Sequence, residues 1–188
     1  GDGNSSTLRN PTHTYDAVGR YNVVLTVYSP CGNSAIETKE TIVYCENTYA
    51  NNDLFITDVQ LGDINNNGTG AGLTNGYSNY TDIDTELLSG QTYNLTVNTS
   101  SSEGILAAWI DFNSNGNYDD DGEFLGQINL SSTTNSFDIT LPEMCSSTEI
   151  LAGFTTIRLR LINAGDSNNP IDVCANYDTG ETEEYTVN

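Results

Sequence analysis

The sequence predicts an all-β protein, and three observations carry that expectation. Apolar and polar residues alternate over many short runs, the two-residue period of a strand with one buried face. Clusters of Gly, Asn and Ser separate those runs at fairly regular spacing, as in sandwiches built from short antiparallel strands. A sustained 3.6-residue apolar period is hard to find anywhere in the 188 residues, a length sufficient for one large β domain or a domain and a fraction.

Taken in order, YNVVLTVYS (residues 21–29) and SAIETKETIVYC (34–45) read as two strands joined by the turn PCGN. LFITDVQL (54–61), QTYNLTVNTS (91–100) and GILAAWIDF (104–112) follow, then NSFDITLP (135–142), TTIRLRLIN (155–163) and EEYTVN (183–188). The expected division is residues 1–45 and residues 46–188, each a β unit.

Charge excludes some partners. Five Lys and Arg stand against 26 Asp and Glu, a net charge of −21. Nucleic-acid binding requires cationic groups that displace counterions from phosphates, and this surface repels phosphates. An anionic membrane surface is disfavoured for the same reason, and no run approaches the ~20 apolar residues of a membrane span. Solubility alone, divalent cations and basic partners all remain compatible with the balance.

Cys31, Cys45, Cys145 and Cys174 form no CxxC pair, and the single histidine, His13, is remote from all four in sequence, so a Cys/His zinc site is not expected. Disulfides, and with them an extracellular setting, are the expected use. Cys31 lies in a hairpin turn and Cys45 at the far end of the second strand. At ~3.4 Å per residue they stand on the order of 40 Å apart, and a bridge needs Cα atoms within ~7 Å. Cys145–Cys174 is the preferred pair, with Cys45–Cys174 as its rival.

One stretch concentrates oxygen ligands: DFNSNGNYDDDGE, Asp111 to Glu123. Asp111, Asn113 and Asn115 followed by Gly116 have the D-x-N-x-N-G spacing of the first half of an EF-hand calcium loop, where alternate oxygens converge and the glycine permits the sharp turn. Asn117 would offer its carbonyl and Asp119 would act directly or through water. The twelfth place, where an EF-hand has a bidentate Glu, is Gly122, and Glu123 is one residue late. The expectation is an EF-like loop between strands that takes Ca2+. The alternative is a solvated hairpin tip, for which Asn-Gly is itself a signal. A second D-x-N-x-N-G, Asp63 to Gly68, has no carboxylate to complete a shell and reads as an Asx-rich turn.

Near the C-terminus, alternation puts Glu181, Glu183, Tyr185 and Val187 on one face. If Tyr185 and Val187 enter the core, Glu183 approaches it too, and a buried carboxylate needs a cation or several donors. A cross-strand pair with Arg158 or Arg160 is one reading; a contribution of Glu181 or Glu183 to a calcium shell is the other. Catalysis finds little support: one histidine makes no Ser/His/Asp set, and among 26 acidic residues some pair always suits glycoside hydrolysis, so that pattern decides nothing. Trp109, in an apolar strand, is expected in the core rather than on a sugar-stacking face.

Two resemblances add to this reading. Gly1-Asp2-Gly3, the turn NPTHTY (residues 10–15), Gly19 and the strand YNVVLTV (21–27) resemble the second half of a PKD domain, an immunoglobulin-like sandwich of extracellular proteins. The resemblance implies that strands preceding the GDG turn exist elsewhere in a longer chain. GDINNNGTG with GYSNYTD (62–82), AWIDFNSNGNYDDDGE (108–123) and TTIRLRL with GETEEYTV (155–161 and 180–187) resemble a GEVED domain, a β-rich module of secreted bacterial proteins. The motif departs from its family at Thr182 and Glu184. Together they imply a partial PKD sandwich and then a GEVED-type sandwich. The implied function is that of a non-catalytic, structural or adhesive accessory module of a secreted or cell-surface bacterial protein. The alternative is a substrate-docking module of a secreted hydrolase. Its partners would be other domains of the parent protein, with an extracellular protein or polysaccharide as possible ligand.

Overall fold

The structure, a computed structural model, describes residues 1–29, 31–45, 48–72, 74–143, 153–166 and 170–188. Among them there is no α-helix, and the regular elements are twelve strands and two short 3-10 turns. By internal contacts the chain divides into two units, Gly1–Cys45 with Asn115–Asn117, and Glu46–Ser114 with Tyr118–Asn188.

The first unit is built on one antiparallel hairpin, β1 (Gly19–Tyr28) and β2 (Ser34–Val43). Gly32, at φ 82, makes its turn, and the Ser29 and Gly32 amides close it onto Asn33 and Ser29 carbonyls. The preceding segment folds back through aromatic contacts. Tyr15 stacks on Tyr21 with ring centres 4.1 Å apart, His13 meets Tyr15 edge-on, and the Tyr21 hydroxyl donates to the Ala17 carbonyl. His13 Nε2 lies 2.7 Å from an Asp2 carboxylate oxygen, so the histidine is a structural residue of this turn. Two strands cannot bury a sheet face, and Val24, Leu25, Val27 and Ile36 are exposed.

The second unit is a two-layer sandwich, the arrangement that lets each sheet bury one face. One layer has the order β10-β7-β4-β5, from β4 (Ile56–Leu61), β5 (Ile64–Asn67), β7 (Thr92–Thr99) and β10 (Thr134–Thr140). The other has the order β3-β12-β11-β8-β9, from β3 (Tyr49–Asn51), β8 (Ile105–Ile110), β9 (Phe124–Asn129), β11 (Thr155–Ile162) and β12 (Tyr177–Val187), with β6 (Tyr77–Thr85) also on β12. Between the layers lie Ile56, Val59 and Leu61 of β4, Leu95 and Val97 of β7, Leu106, Ala108 and Ile110 of β8, Ile157, Leu159 and Leu161 of β11, and Tyr185 and Val187 of β12. Each set alternates along its strand, which is the pattern the sequence displays.

Strands β8 and β12 are buried on both faces, so their outward residues are also covered. Trp109 is one of these: buried, tilted against Phe124 at 5.4 Å, and outside the central cluster. It forms no sugar-stacking face. The second D-x-N-x-N-G is not a turn throughout. Its turn is Gly62 (φ 57) and Asp63, after which residues 64–67 pair with β4 as β5, with Asn66 opposite Val59.

The preferred cysteine pair is not the one formed. Cys174 is bonded to Cys45, and Cys145 lies outside the described residues. The cause is strand pairing. β3 and β12 run parallel with Tyr49 opposite Tyr177, so the segments just before each strand, which carry Cys45 and Cys174, arrive side by side. The Tyr177 amide donates to the Thr48 carbonyl and the Thr48 amide to Asn176 Oδ1. Cys31 is free and exposed.

Candidate functional site

The acidic stretch leaves β8 at Asp111 and re-enters the sheet at Phe124, the start of β9. Its ends are fixed by main-chain bonds: the Ile110 amide donates to the Glu123 carbonyl and the Asp111 amide to the Thr156 carbonyl of β11. Ser114 (φ 52), Gly116 (φ 83) and Gly122 (φ 89) take left-handed conformations, two of them at glycines that adopt such angles without steric cost.

Of the sequence-selected ligands, the fold brings Asp111 and Glu123 together and buries both almost fully. Glu123 Oε1 has no hydrogen-bond partner. Burial pushes the Glu123 carboxyl up to about 7, the nearby Asp111 and Asp120 charges push the same way, and the Asp120 and Asn113 amides oppose them. Asp120, at the tenth place, is the residue that template reasoning missed: Asn113 Nδ2 donates to its Oδ2 at 2.8 Å, and its amide points at Glu123 Oε2 at 3.4 Å. Asp119 is exposed, with its pKa raised by partial desolvation and then by the charges of Asp172 and Asp120. Asn115 and Asn117 group with the first unit, and there the Asn115 side chain accepts from the Asn117 amide at 2.7 Å, an Asx turn. Among the described residues no three His, Cys, Asp or Glu side chains converge tightly enough to hold a metal unaided. Amide and main-chain oxygens would have to complete any shell, which is how oxygen-rich calcium loops are made.

Glu181 and Glu183 do not join this loop. They point between the sheets with Tyr185 and Val187, while Glu184, of opposite parity, faces the loop side. The Arg–Glu pair that alternation suggested exists, but its carboxylate is Glu184. The register sets Arg158 opposite Glu184, and Arg158 Nε donates to Oε1 at 2.7 Å. Tyr118 of the loop donates to the same oxygen at 3.2 Å, Tyr77 donates to Oε2 at 2.6 Å, and the guanidinium sits 4.4 Å over the Tyr118 ring. Tyr118 thereby ties the acidic loop to the sheet. Arg160 is satisfied by the Tyr49 hydroxyl and by the Asp172 and Ala175 carbonyls, so it holds the segment that carries Cys174. Glu181 accepts from the Ile56 amide at 2.8 Å and from the Ser78 hydroxyl at 3.0 Å.

The family model for the GEVED domain matches residues 105–188, which takes in the acidic loop, β11 and β12. The model for the PKD domain matches residues 1–43, the hairpin of the first unit and the segment before it. The chain carries a PKD domain followed by a GEVED domain. No curated protein matches it. PKD and GEVED are accessory rather than catalytic domains, and they imply a role within a larger multidomain protein. PKD domains and disulfides are typical of extracellular proteins. No helix among the described residues is long and apolar enough to cross a membrane.

Proposed function

We propose that this PKD–GEVED chain is a non-catalytic accessory module of a secreted or surface-displayed bacterial protein, and that calcium at the Asp111–Glu123 loop stabilises its GEVED domain. The observation that carries the calcium reading is Glu123: a fully buried carboxylate with one unpartnered oxygen, beside buried Asp111 and half-buried Asp120. Burying a carboxylate is costly unless a cation or hydrogen-bond donors meet it. A bound Ca2+ would supply positive charge where three carboxylates approach. Asp111, Asp120 and Glu123 would hold it with the Asn113 side chain and main-chain oxygens, and Asp119, nearer solvent, would act through water. The outward task of the module is structural or adhesive, within the parent protein or towards an extracellular protein or polysaccharide.

Thermal unfolding with calcium and with chelator tests the reading. At ~2 mM calcium and a Kd of ~0.1 mM, in the range of extracellular calcium modules, the gain is about 1.8 kcal/mol. Asp111→Ala should abolish it. Coincident melting curves in calcium and chelator would remove the calcium reading.

A further inference from the structure

Strand β12 takes two parallel partners in succession. β3 accompanies it as far as Thr179, opposite Asn51, and β6 takes over with Tyr77 opposite Thr182. The ladder changes hands at Gly180 and Glu181. Beside that break lies a cleft of about 380 Å3, lined by Tyr49 to Asn52 from β3 and by Gly72, Asn75 and Gly76 from the turn that leads into β6. Its volume is that of a small-molecule site, but its lining is not the usual apolar one. Of the described lining residues only Tyr49 and Ala50 bring apolar side chains, and none brings a charge, in a chain of net charge −21.

The cleft is held in shape from below. The Tyr49 hydroxyl bonds Thr182 Oγ1 at 2.8 Å and accepts Arg160 Nε at 3.0 Å, and a Cβ on Gly76 would stand 2.7 Å from the Tyr49 ring, so the main chain of the turn packs directly on it. Asn51 is fixed at both ends of its amide: Nδ2 donates to Thr179 Oγ1 at 3.0 Å and Oδ1 accepts the Asp53 amide at 3.2 Å. Asn52 Nδ2 donates to the Gly72 carbonyl at 3.0 Å and so ties the end of β3 to the turn. Asn52 Oδ1 and both polar atoms of the exposed Asn75 side chain have no partner among the described residues.

We propose that this cleft binds a neutral oligosaccharide, with Asn52 and Asn75 contacting it and Asn51 as a positioning residue. A sugar hydroxyl donates and accepts, and a carboxamide does both as well, so neighbouring hydroxyls find matching groups in Asn75 Oδ1 and Nδ2 and in Asn52 Oδ1. An acidic sugar would meet the net negative charge with no cation in the cleft to offset it. Gly76 and Gly180 close over the Tyr49 ring, so hydrogen bonds rather than stacking hold the ligand. Strand addition of a peptide needs a continuous free edge, and here the edge is interrupted where β3 gives way to β6. The inference gives the polysaccharide arm of the proposed function a location and rests on that reading, but not on calcium in the acidic loop.

The test is a titration of the 15N-labelled full chain, followed by amide shifts, with cellohexaose, xylohexaose and mannohexaose, and with hexagalacturonate and hexaglycine as comparisons. At least one neutral hexaose should give saturable shifts confined to Asn51, Asn52, Gly72, Asn75 and Gly76, while hexagalacturonate and hexaglycine give none. Asn75→Asp keeps the side-chain shape and tolerates the left-handed angle at φ 71. Its melting temperature should match that of the unsubstituted protein, and its affinity should fall about tenfold or more. Unchanged affinity in this variant overturns the proposal, as does hexaglycine binding at the same amides. Saturable shifts on another surface overturn the cleft and leave the adhesive reading standing. No saturable shift with any neutral hexaose also overturns the cleft, and the calcium reading is then judged separately by its melting curves.

Discussion

Arg158 and Glu184 face each other across β11 and β12 with an Nη2–Oε1 distance of 2.5 Å, and both side chains are buried. Tyr77 and Tyr118 supply the remaining donors to the carboxylate, so the pair is desolvated but satisfied. Removing one member leaves the other as an uncompensated buried charge. Arg158→Met should destabilise the domain by about 3–5 kcal/mol, and Glu184→Gln by a smaller amount because the amide oxygen still accepts. The double variant should recover much of the loss, a coupling that urea unfolding of all four proteins measures. Additive losses would show that the two groups do not act as a pair.

Alternation exposes β1, β2, β4, β7, β10, β11 and the second half of β12, while β8 shows in the sequence as a continuous apolar run, which suits a strand covered on both faces. Strand β6 was not legible, because YSNYTDIDT is polar on both faces and pairs in parallel with β12 across an irregularity. Strand β5 is three asparagines after an isoleucine, and such composition reads as a turn. Strand β9 is interrupted by Gly126 beside a register shift. In the acidic loop, the D-x-N-x-N-G spacing selects Asp111 and Asn113, and Glu123 is the acid that follows, one place late for the pattern. Asp120 was not legible, since the tenth place has no role in the EF-hand pattern. Glu184 could have been read from parity: it alternates with Tyr185, as Arg158 does with Ile157, and two outward residues of opposite charge on adjacent strands are natural partners.

Glu181 gives a pH dependence with a definite sign. Its folded pKa is raised to about 7, chiefly by burial, from an ordinary value of 4.5. The folded state then holds a proton that the unfolded state has lost. This contribution to stability is complete below pH ~4.5, falls as pH rises, and is gone above about 7. Glu181→Gln should flatten that part of the profile. Chemical denaturation at several pH values, in chelator, reads it, and an unchanged slope in the variant would mean that Glu181 is ionised throughout.

The Cys45–Cys174 bond closes a long loop, and its removal should matter accordingly. Restricting the unfolded chain by such a link is worth typically 2–4 kcal/mol. Cys174→Ser should lose about that much, with Arg160 still holding the Asp172 and Ala175 carbonyls in place. Peptide mapping without reduction should yield a 45–174 linked fragment. A 145–174 fragment would show that β3 and β12 do not pair in the described register.

Gly180, the first residue of the motif, is constrained by space as well as by backbone angle. It sits in β12 at φ 155, and a Cβ there would overlap the Leu161 carbonyl oxygen and stand 2.7 Å from the Tyr49 ring and 3.1 Å from Ile162 Cα. Main chain cannot step aside cheaply. Tyr49 is held as well, since its hydroxyl bonds Thr182 at 2.8 Å and accepts Arg160 Nε at 3.0 Å. Gly180→Ala should therefore cost at least ~3 kcal/mol, from overpacking together with backbone strain. Gly68→Ala is the matched control. Its φ of 72 is also left-handed, but nothing lies within 4 Å of its Cβ position. It should lose only the conformational term, about 1 kcal/mol. Denaturant midpoints of the two variants separate crowding from backbone preference, and equal losses would mean that the close approach of β11, Tyr49 and Gly180 is not what the motif glycine serves.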